Sequence, residues 1–275
     1  MKKFLVLGSS GQIGNFLVSF LRKRGHEVIE FDLVNSQSQD LRIKDNVLLE
    51  QYMNEVDFVF FLAFDVGGSR YLSKYQNTFE FLHNNVQIME NTFDCLRKCG
   101  VPFIFASSQM SNMEHSSYGL CKAIGEQYTK CLGGLPVKFW NVYGPENDFD
   151  KSHVITDFII SAKSGSINMI SDGTEYRQFL YVEDCCECLL ILSDLYDTLA
   201  RNQEYHISSF KWNSVFEIAS IVSDIFGGVD VVASDKKDLV QNDKRNEPNP
   251  YILNYWKPKN SIEEGIRGMC NYYDN

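Results

Sequence analysis

Between Ala106 and Lys122 the chain reads ASSQMSNMEHSSYGLCK, crowding serines, a glutamate, a histidine, a tyrosine and a lysine into one short stretch. Tyr118 and Lys122 stand four residues apart, so on a helix they share one face. A tyrosine that takes a proton from a hydroxyl near neutral pH needs its pKa lowered by about three units, roughly 4 kcal/mol. An ammonium about 4 Å away in an intermediate dielectric supplies about that much. The pair therefore reads as proton-transfer chemistry, if the rest of the chain builds a site around it.

A second constellation lies at the start. In GSSGQIG, Gly8, Gly11 and Gly14 directly follow the apolar run KFLVL and open an amphipathic segment. In a strand–turn–helix setting such glycines turn backbone N–H groups and a helix N-terminus toward a pyrophosphate. Gln12 and Ile13, in the same turn, join that expected cofactor site. Asp32 ends the second apolar run, where its carboxylate would bond the adenosine ribose hydroxyls and repel a 2′-phosphate. The following LVNSQSQ offers no arginine to receive one. NAD is the expected cofactor, and Asp40 and Leu41 in QDLR are placed on its adenine side.

The elements that must position these residues alternate. KFLVLG, EVIEFD, DFVFFLA, PFIFASS and PVKFWNV are rich in aromatic and β-branched residues and read as buried strands. Ile13, Phe16, Leu17, Phe20 and Leu21 follow helical spacing, and Gly25 is a natural stop. Repeated strand–helix–strand crossovers predict an α/β fold, a Rossmann-type doubly wound parallel sheet. After Pro145 the texture turns to longer polar connections. We expect an NAD-binding domain over residues 1–145, completed by about 179–204, and a smaller C-terminal α/β substrate-binding region from 146–178 and 205–275.

Composition removes other classes. A net charge of −10 over 275 residues argues against nucleic acid or anionic membrane as partner, both being polyanions. The run from Phe4 to Leu7 is too short for a signal-peptide core, and no segment has membrane-spanning length. A soluble cytoplasmic protein with free thiols is the expectation. The Cys185, Cys186 and Cys188 cluster lies in an apolar run and reads as core packing, with no metal site.

The glycine spacing together with YGLCK resembles the extended short-chain dehydrogenase/reductases, specifically the NAD-dependent sugar-nucleotide epimerase/dehydratase family. The likeness runs nearly end to end. FFLAFDVGG, with Leu62 and Ala63, is similar to that family's strand entering a cofactor loop, and Asn85-Val86 to its helix opening, which implies Leu62, Ala63 and Asn85 as cofactor contacts. NVYGP, DGTEYRQFLYVEDC and YWKPKNSIEEGI are similar to three more of its strings. The resemblance implies that Tyr118 and Lys122 are catalytic, with the lysine also holding the nicotinamide ribose. It implies a strand-end serine on the reacting hydroxyl, assigned to Ser107 with Ser108 as fallback and as a substrate contact. Arg177 and Arg245 would hold the diphosphate of a nucleotide-diphosphate sugar, and Asn141 would touch its nucleotide portion. A homodimer through the helices after Asn85 and around Tyr118 is also implied.

The family's first step is hydride removal from a sugar carbon, usually C4. Its dehydratases place an Asp-Glu pair directly after the catalytic serine or threonine, and its decarboxylases keep a glutamate there. With Ser107 as that serine, Ser108 and Gln109 occupy those positions, and neither is an effective acid or base. What remains is a 4-epimerase, or else a net 4-dehydrogenase or 4-ketoreductase; a non-catalytic NAD-binding sensor or scaffold is a third reading. DVGG, Asp65 to Gly68, is also similar to GDP-sugar members that use extra acid/base residues, typically a cysteine and a histidine or lysine. Glu114 and His115 are near in sequence. The loop from Ser107 to Tyr118 is shorter than in relatives, with Ser111 in place of a tyrosine, and predicts a missing pocket wall and a bulkier or more exposed sugar.

Overall fold

The computed structural model describes residues 1–238 and 246–274. β1 (Lys3–Leu7) leads through the glycine turn into α1 (Gln12–Lys23), which buries Leu17, Val18, Phe20 and Leu21. Gly25, at φ 82°, reverses the chain into β2 (Glu27–Phe31). Then come α2 (Val47–Asn54), β3 (Phe58–Phe61), α3 (Ser69–Tyr75), α4 (Phe79–Cys99), β4 (Phe103–Ser108), α5 (Ser117–Cys131), β5 (Leu135–Phe139) and β6 (Val142–Tyr143). The second half holds α6 (Val154–Lys163), β7 (Ser166–Asn168), β8 (Tyr176–Arg177), β9 (Leu180–Tyr181), α7 (Val182–Asp194) and β10 (Tyr205–Ile207). β11 (Asn213–Ser214), α8 (Val215–Ile225), β12 (Asp230–Val232) and α9 (Ile262–Asp274) complete it.

Six parallel strands form one sheet in the order β10-β5-β4-β3-β1-β2. The chain runs outward from β1 to β2, then crosses back to β3 on the other side of β1. That reversal opens a crevice at the strands' C-terminal ends, where ligands of doubly wound sheets bind. One face is covered by α1 and α7 through Leu17, Leu21, Cys185 and Leu189, the other by α2, α4 and α5 through Leu49, Phe93 and Cys121. The fold is the expected Rossmann-type α/β.

A second core joins α6, α8 and α9 through Phe158, Ile159, Ile218, Val222, Ile266 and Met269. The expected boundary needs correcting here. Residues 205–207 are β10 and pair with β5, while Ile252 and Trp256 pack in the sheet's own core. The substrate-side region is thus interleaved with the sheet domain. Asp184, buried at the start of α7, ties the two by accepting the backbone N–H of Lys259 and Asn260 at 3.1 and 2.9 Å.

Asn85 does not open a helix. Thr78 caps α4 seven residues earlier, accepting from the N–H of Phe81. Cys185, Cys186 and Cys188 are fully buried among apolar side chains. Among the described residues no cluster of three or more His, Cys, Asp or Glu could hold a metal, and no helix is long and apolar enough to cross a membrane.

Candidate active site

The glycine turn is sterically filled except on one side. A Cβ on Gly14 would lie 2.0 Å from the Gly8 carbonyl oxygen, and one on Gly8 would lie 2.7 Å from Ala63 Cα. A Cβ on Gly11 would meet only the Gly8 oxygen, at 3.4 Å. Gly11 starts α1, and no side chain caps that helix. Its first N–H groups therefore face an open rim suited to an anion. Asp32 accepts the N–H of Ser10 and of Val34, each at 3.0 Å, which fixes its carboxylate beside that rim. These residues fit a dinucleotide with free ribose hydroxyls. Leu62 and Ala63 form the opposite wall, Leu62 donating its N–H to Leu7. Gln12 donates to the Gly144 carbonyl at 3.3 Å, and Ile13 packs on the core.

Two expected cofactor contacts are engaged elsewhere. Asp40 is gripped by Arg42 through three hydrogen bonds of 2.7 to 3.1 Å, which hold its carboxyl below the usual range; Leu41 is buried. Asn85 donates to the carbonyls of Asp65 and Phe81 and accepts the Asp65 N–H. It shapes the loop after β3 from within the protein.

At the end of β4 the two serines part. The Ser107 hydroxyl donates to Glu126 Oε1 at 2.5 Å, inside the protein. The Ser108 hydroxyl accepts the Met110 N–H at 3.1 Å and interacts with the Tyr118 hydroxyl. Successive strand residues point to opposite faces, so only one can meet Tyr118. The assignment moves from Ser107 to Ser108. Gln109 and Met110 then follow the serine, and still no carboxylate stands there.

Ser116 caps α5 by accepting the Gly119 N–H at 3.1 Å and donates to Gln76 at 2.9 Å. The short loop leaves no room over α5: a Cβ on Gly119 would lie 2.2 Å from the Met110 carbonyl oxygen. Leu72, Phe81, Met110 and Met113 enclose Tyr118, which is only 9% exposed. Two methionines of the trimmed loop fold over the ring, on the side where a missing pocket wall is expected.

Lys122 Nζ donates to the Ala106 carbonyl at 2.7 Å and lies 3.6 Å from the centroid of the Phe64 ring, against 5.8 Å for Tyr118. Burial penalises charge on both partners. It pushes Tyr118 up to about 12, only partly offset by Ser108, and pulls Lys122 down to about 7. This reverses the expected lowered tyrosine pKa.

The structure also holds a cavity of roughly 450 Å³, lined by Arg70, Asn141, Tyr143, His153, Asp157 and Phe179 among others; α3, which gives it Arg70, also packs Leu72 against Tyr118, but Ser108, Tyr118 and Lys122 do not line it. Sequence reasoning missed its charged cluster. His153 Nδ1 sits 2.6 Å from Glu146 Oε1, and the Thr156 hydroxyl bonds Glu146 Oε2. Burial opposes charge on His153, but Glu146 outweighs it and raises the imidazole pKa. Six residues of loop separate the two, with no local pattern to announce the pair. Arg177 is bonded to Asp238 at 2.8 Å, both largely buried; Arg245 lies outside the described residues.

The profile of the NAD dependent epimerase/dehydratase family matches residues 4–208. The chain is 28% identical over 234 residues to the UDP-N-acetyl-alpha-D-glucosaminuronate decarboxylase of Bacillus cytotoxicus, covering 70% of this chain and 71% of that one. It is 25% identical over 303 residues to the GDP-L-fucose synthase of Sinorhizobium fredii, covering 96% and 93%. The UDP-glucose 4-epimerase structure from Thermotoga maritima superposes with a TM-score of 0.81 at 21% identity, covering 99% and 98%.

Lys122 gives a measurable pH signature. Its folded pKa of about 7 lies below the ordinary 10.5, so between these values the unfolded chain binds the extra proton. Stability from this group therefore rises with pH across that window and is lost as pH falls toward 7. Urea unfolding of cofactor-free protein should show wild type gaining about 2 kcal/mol over Lys122→Met between pH 7 and 9. Parallel behaviour of the two proteins would refute the shift.

Proposed function

The chain belongs to the NAD dependent epimerase/dehydratase family, and we propose that it is a sugar-nucleotide epimerase acting by hydride transfer at C4 of a nucleotide-diphosphate sugar. The observation that carries this is the meeting of Ser108 and Tyr118 hydroxyls beside buried Lys122, with no carboxylate after the serine. NAD, when bound, supplies the hydride acceptor and, oxidised, a positive charge near the tyrosine. The Met110 N–H orients Ser108 Oγ, leaving the serine proton to hold the reacting sugar oxygen. Tyr118 takes that hydroxyl's proton. Burial makes either charge costly alone, so tyrosinate and lysinium form best together, as one coupled unit.

Asn141 in the cavity lining supports seating the nucleotide portion there. Arg177 would reach the diphosphate by exchanging its bond to Asp238. A net 4-dehydrogenase or 4-ketoreductase uses the same groups and is told apart by whether NADH accumulates or is consumed. The His153–Glu146 pair favours a further reading: a base in the cavity that moves protons at a carbon beside a transient C4 carbonyl, inverting C3 or C5.

We also assign a homodimer to the outer face of α4 and α5. Phe79, Leu82 and Val86 on one helix and Leu120, Ile124 and Tyr128 on the other are exposed at helical spacing. Such a continuous apolar stripe on paired helices suits a second copy of itself.

In a panel of UDP-, GDP-, CDP- and dTDP-sugars followed by NMR, one sugar should isomerise without net NADH, and Tyr118→Phe should lose at least about 10³-fold in turnover while retaining NAD. Stoichiometric NADH would replace the epimerase with the dehydrogenase. In D₂O, deuterium at C3 or C5 that vanishes in His153→Asn would select the further reading. By light scattering, Ile124→Glu should shift the particle from dimer to monomer mass; an unchanged mass would exclude this face.

A further inference from the structure

Lys138 on β5 carries a charge that Tyr118, Ser108 and Lys122 do not use. Its side chain is about as buried as the core, 5% exposed, yet its ammonium makes two hydrogen bonds and a third, longer ion-pair contact. Nζ lies 3.1 Å from Asn112 Oδ1, 2.8 Å from Glu204 Oε1 and 3.7 Å from Glu126 Oε2. Glu126 belongs to α5, one turn beyond Lys122, and its other oxygen receives the Ser107 hydroxyl. One ammonium thus touches the short loop, the helix bearing Tyr118 and Lys122, and, through Glu126, the residue preceding Ser108.

The arm to Asn112 reaches furthest. Asn112 closes the single 3₁₀ turn, Gln109–Asn112, that makes up half of the trimmed loop. The Met110 N–H of that turn orients the Ser108 hydroxyl, and the Met110 carbonyl rests on Gly119. Asn246 holds the same turn from the other side, donating to the Gln109 carbonyl at 3.1 Å. Moving the turn would therefore rotate Ser108 away from Tyr118. A surface ion pair would do nothing of the kind, but a buried ammonium held on three sides has a defined place and transmits it.

We propose that Lys138 is a positioning residue: through Asn112 it pins the short loop, and through Glu126 and Ser107 the end of β4, so that Ser108 meets Tyr118. This rests on the roles given to Ser108 and Tyr118 above. The test uses the NAD-loaded chain and the exposed Asn112, whose replacement removes one arm without opening the core. Asn112→Ala should speed amide exchange across residues 109–116 by about 10-fold or more, with other segments unchanged. Its kcat should fall about 10-fold with KM within about twofold. Asn112→Asp, which keeps an oxygen for the ammonium, should behave as wild type, and Lys138→Met should reproduce the loosened loop. Unchanged exchange in Asn112→Ala would overturn the pinning, and a loosened loop with wild-type kcat would overturn the positioning role. If the wild-type chain turned over no nucleotide sugar, the function above would fall, while exchange would still decide whether Lys138 holds the loop.

Discussion

Where the strand order reverses, the backbone has no space for side chains, and the rest of the site is arranged around that contact. Gly8, at φ 84°, lies against Ala63 of the loop after β3, and Gly14 lies against the Gly8 carbonyl. α1 can begin this close to β1 only with hydrogens at both positions. The same approach brings the uncapped start of α1, the Asp32 carboxylate and the Leu62–Ala63 wall to one rim. It also fixes where the β3 loop must run next. Asn85, Tyr71, Asn84 and Lys151 then fasten Asp65, so the loop enters the substrate side already held.

That loop brings Phe64 over Lys122, and with it the second governing feature, the exclusion of water from two ionisable groups. Phe64 gives the ammonium an aromatic face and the Ala106 carbonyl gives it one acceptor, both weaker than bulk solvation. Burial thus weighs against charge on Tyr118 and on Lys122 alike. In the mechanism proposed above, positive charge arriving in the crevice would favour proton removal by Tyr118. A solvent-exposed tyrosine–lysine pair would lack that dependence, because water would stabilise each charge separately.

The alternation of strands and helices was legible because buried parallel strands are continuous apolar runs and α1 is strongly amphipathic. That same continuity hid the serine. Every residue from Phe103 to Ser108 is buried, so the string FIFASS carries no in–out alternation from which to choose between Ser107 and Ser108. Asn85 does not open its helix because that helix begins about two turns earlier, at the threonine cap in NTFEF. Contacts between distant segments left no local trace: Asp184 with Lys259 and Asn260, Lys138 with Glu204, and β10 completing a sheet begun two hundred residues before. Asp40 with Arg42 was adjacent and readable, but an expected adenine contact drew attention from the nearer arginine.

The contacts of the short loop say more about the site than its length does. A missing stretch of loop predicts a missing wall only if that stretch forms a wall. Neither residues 109–116 nor Ser108, Tyr118 and Lys122 line the cavity, whose boundary comes from α3, the segment after β5, α6 and β7. The loop instead acts on the other side, as a clamp on Ser108 and a cover over Tyr118. A clamp gains from being short, since fewer residues must be ordered to close it, and Gly119 allows it to sit directly on α5. Trimming therefore brings the loop's contacts onto Ser108, Tyr118 and α5, while the cavity is bounded by α3 and α6, where Arg70, His153 and Asp157 stand.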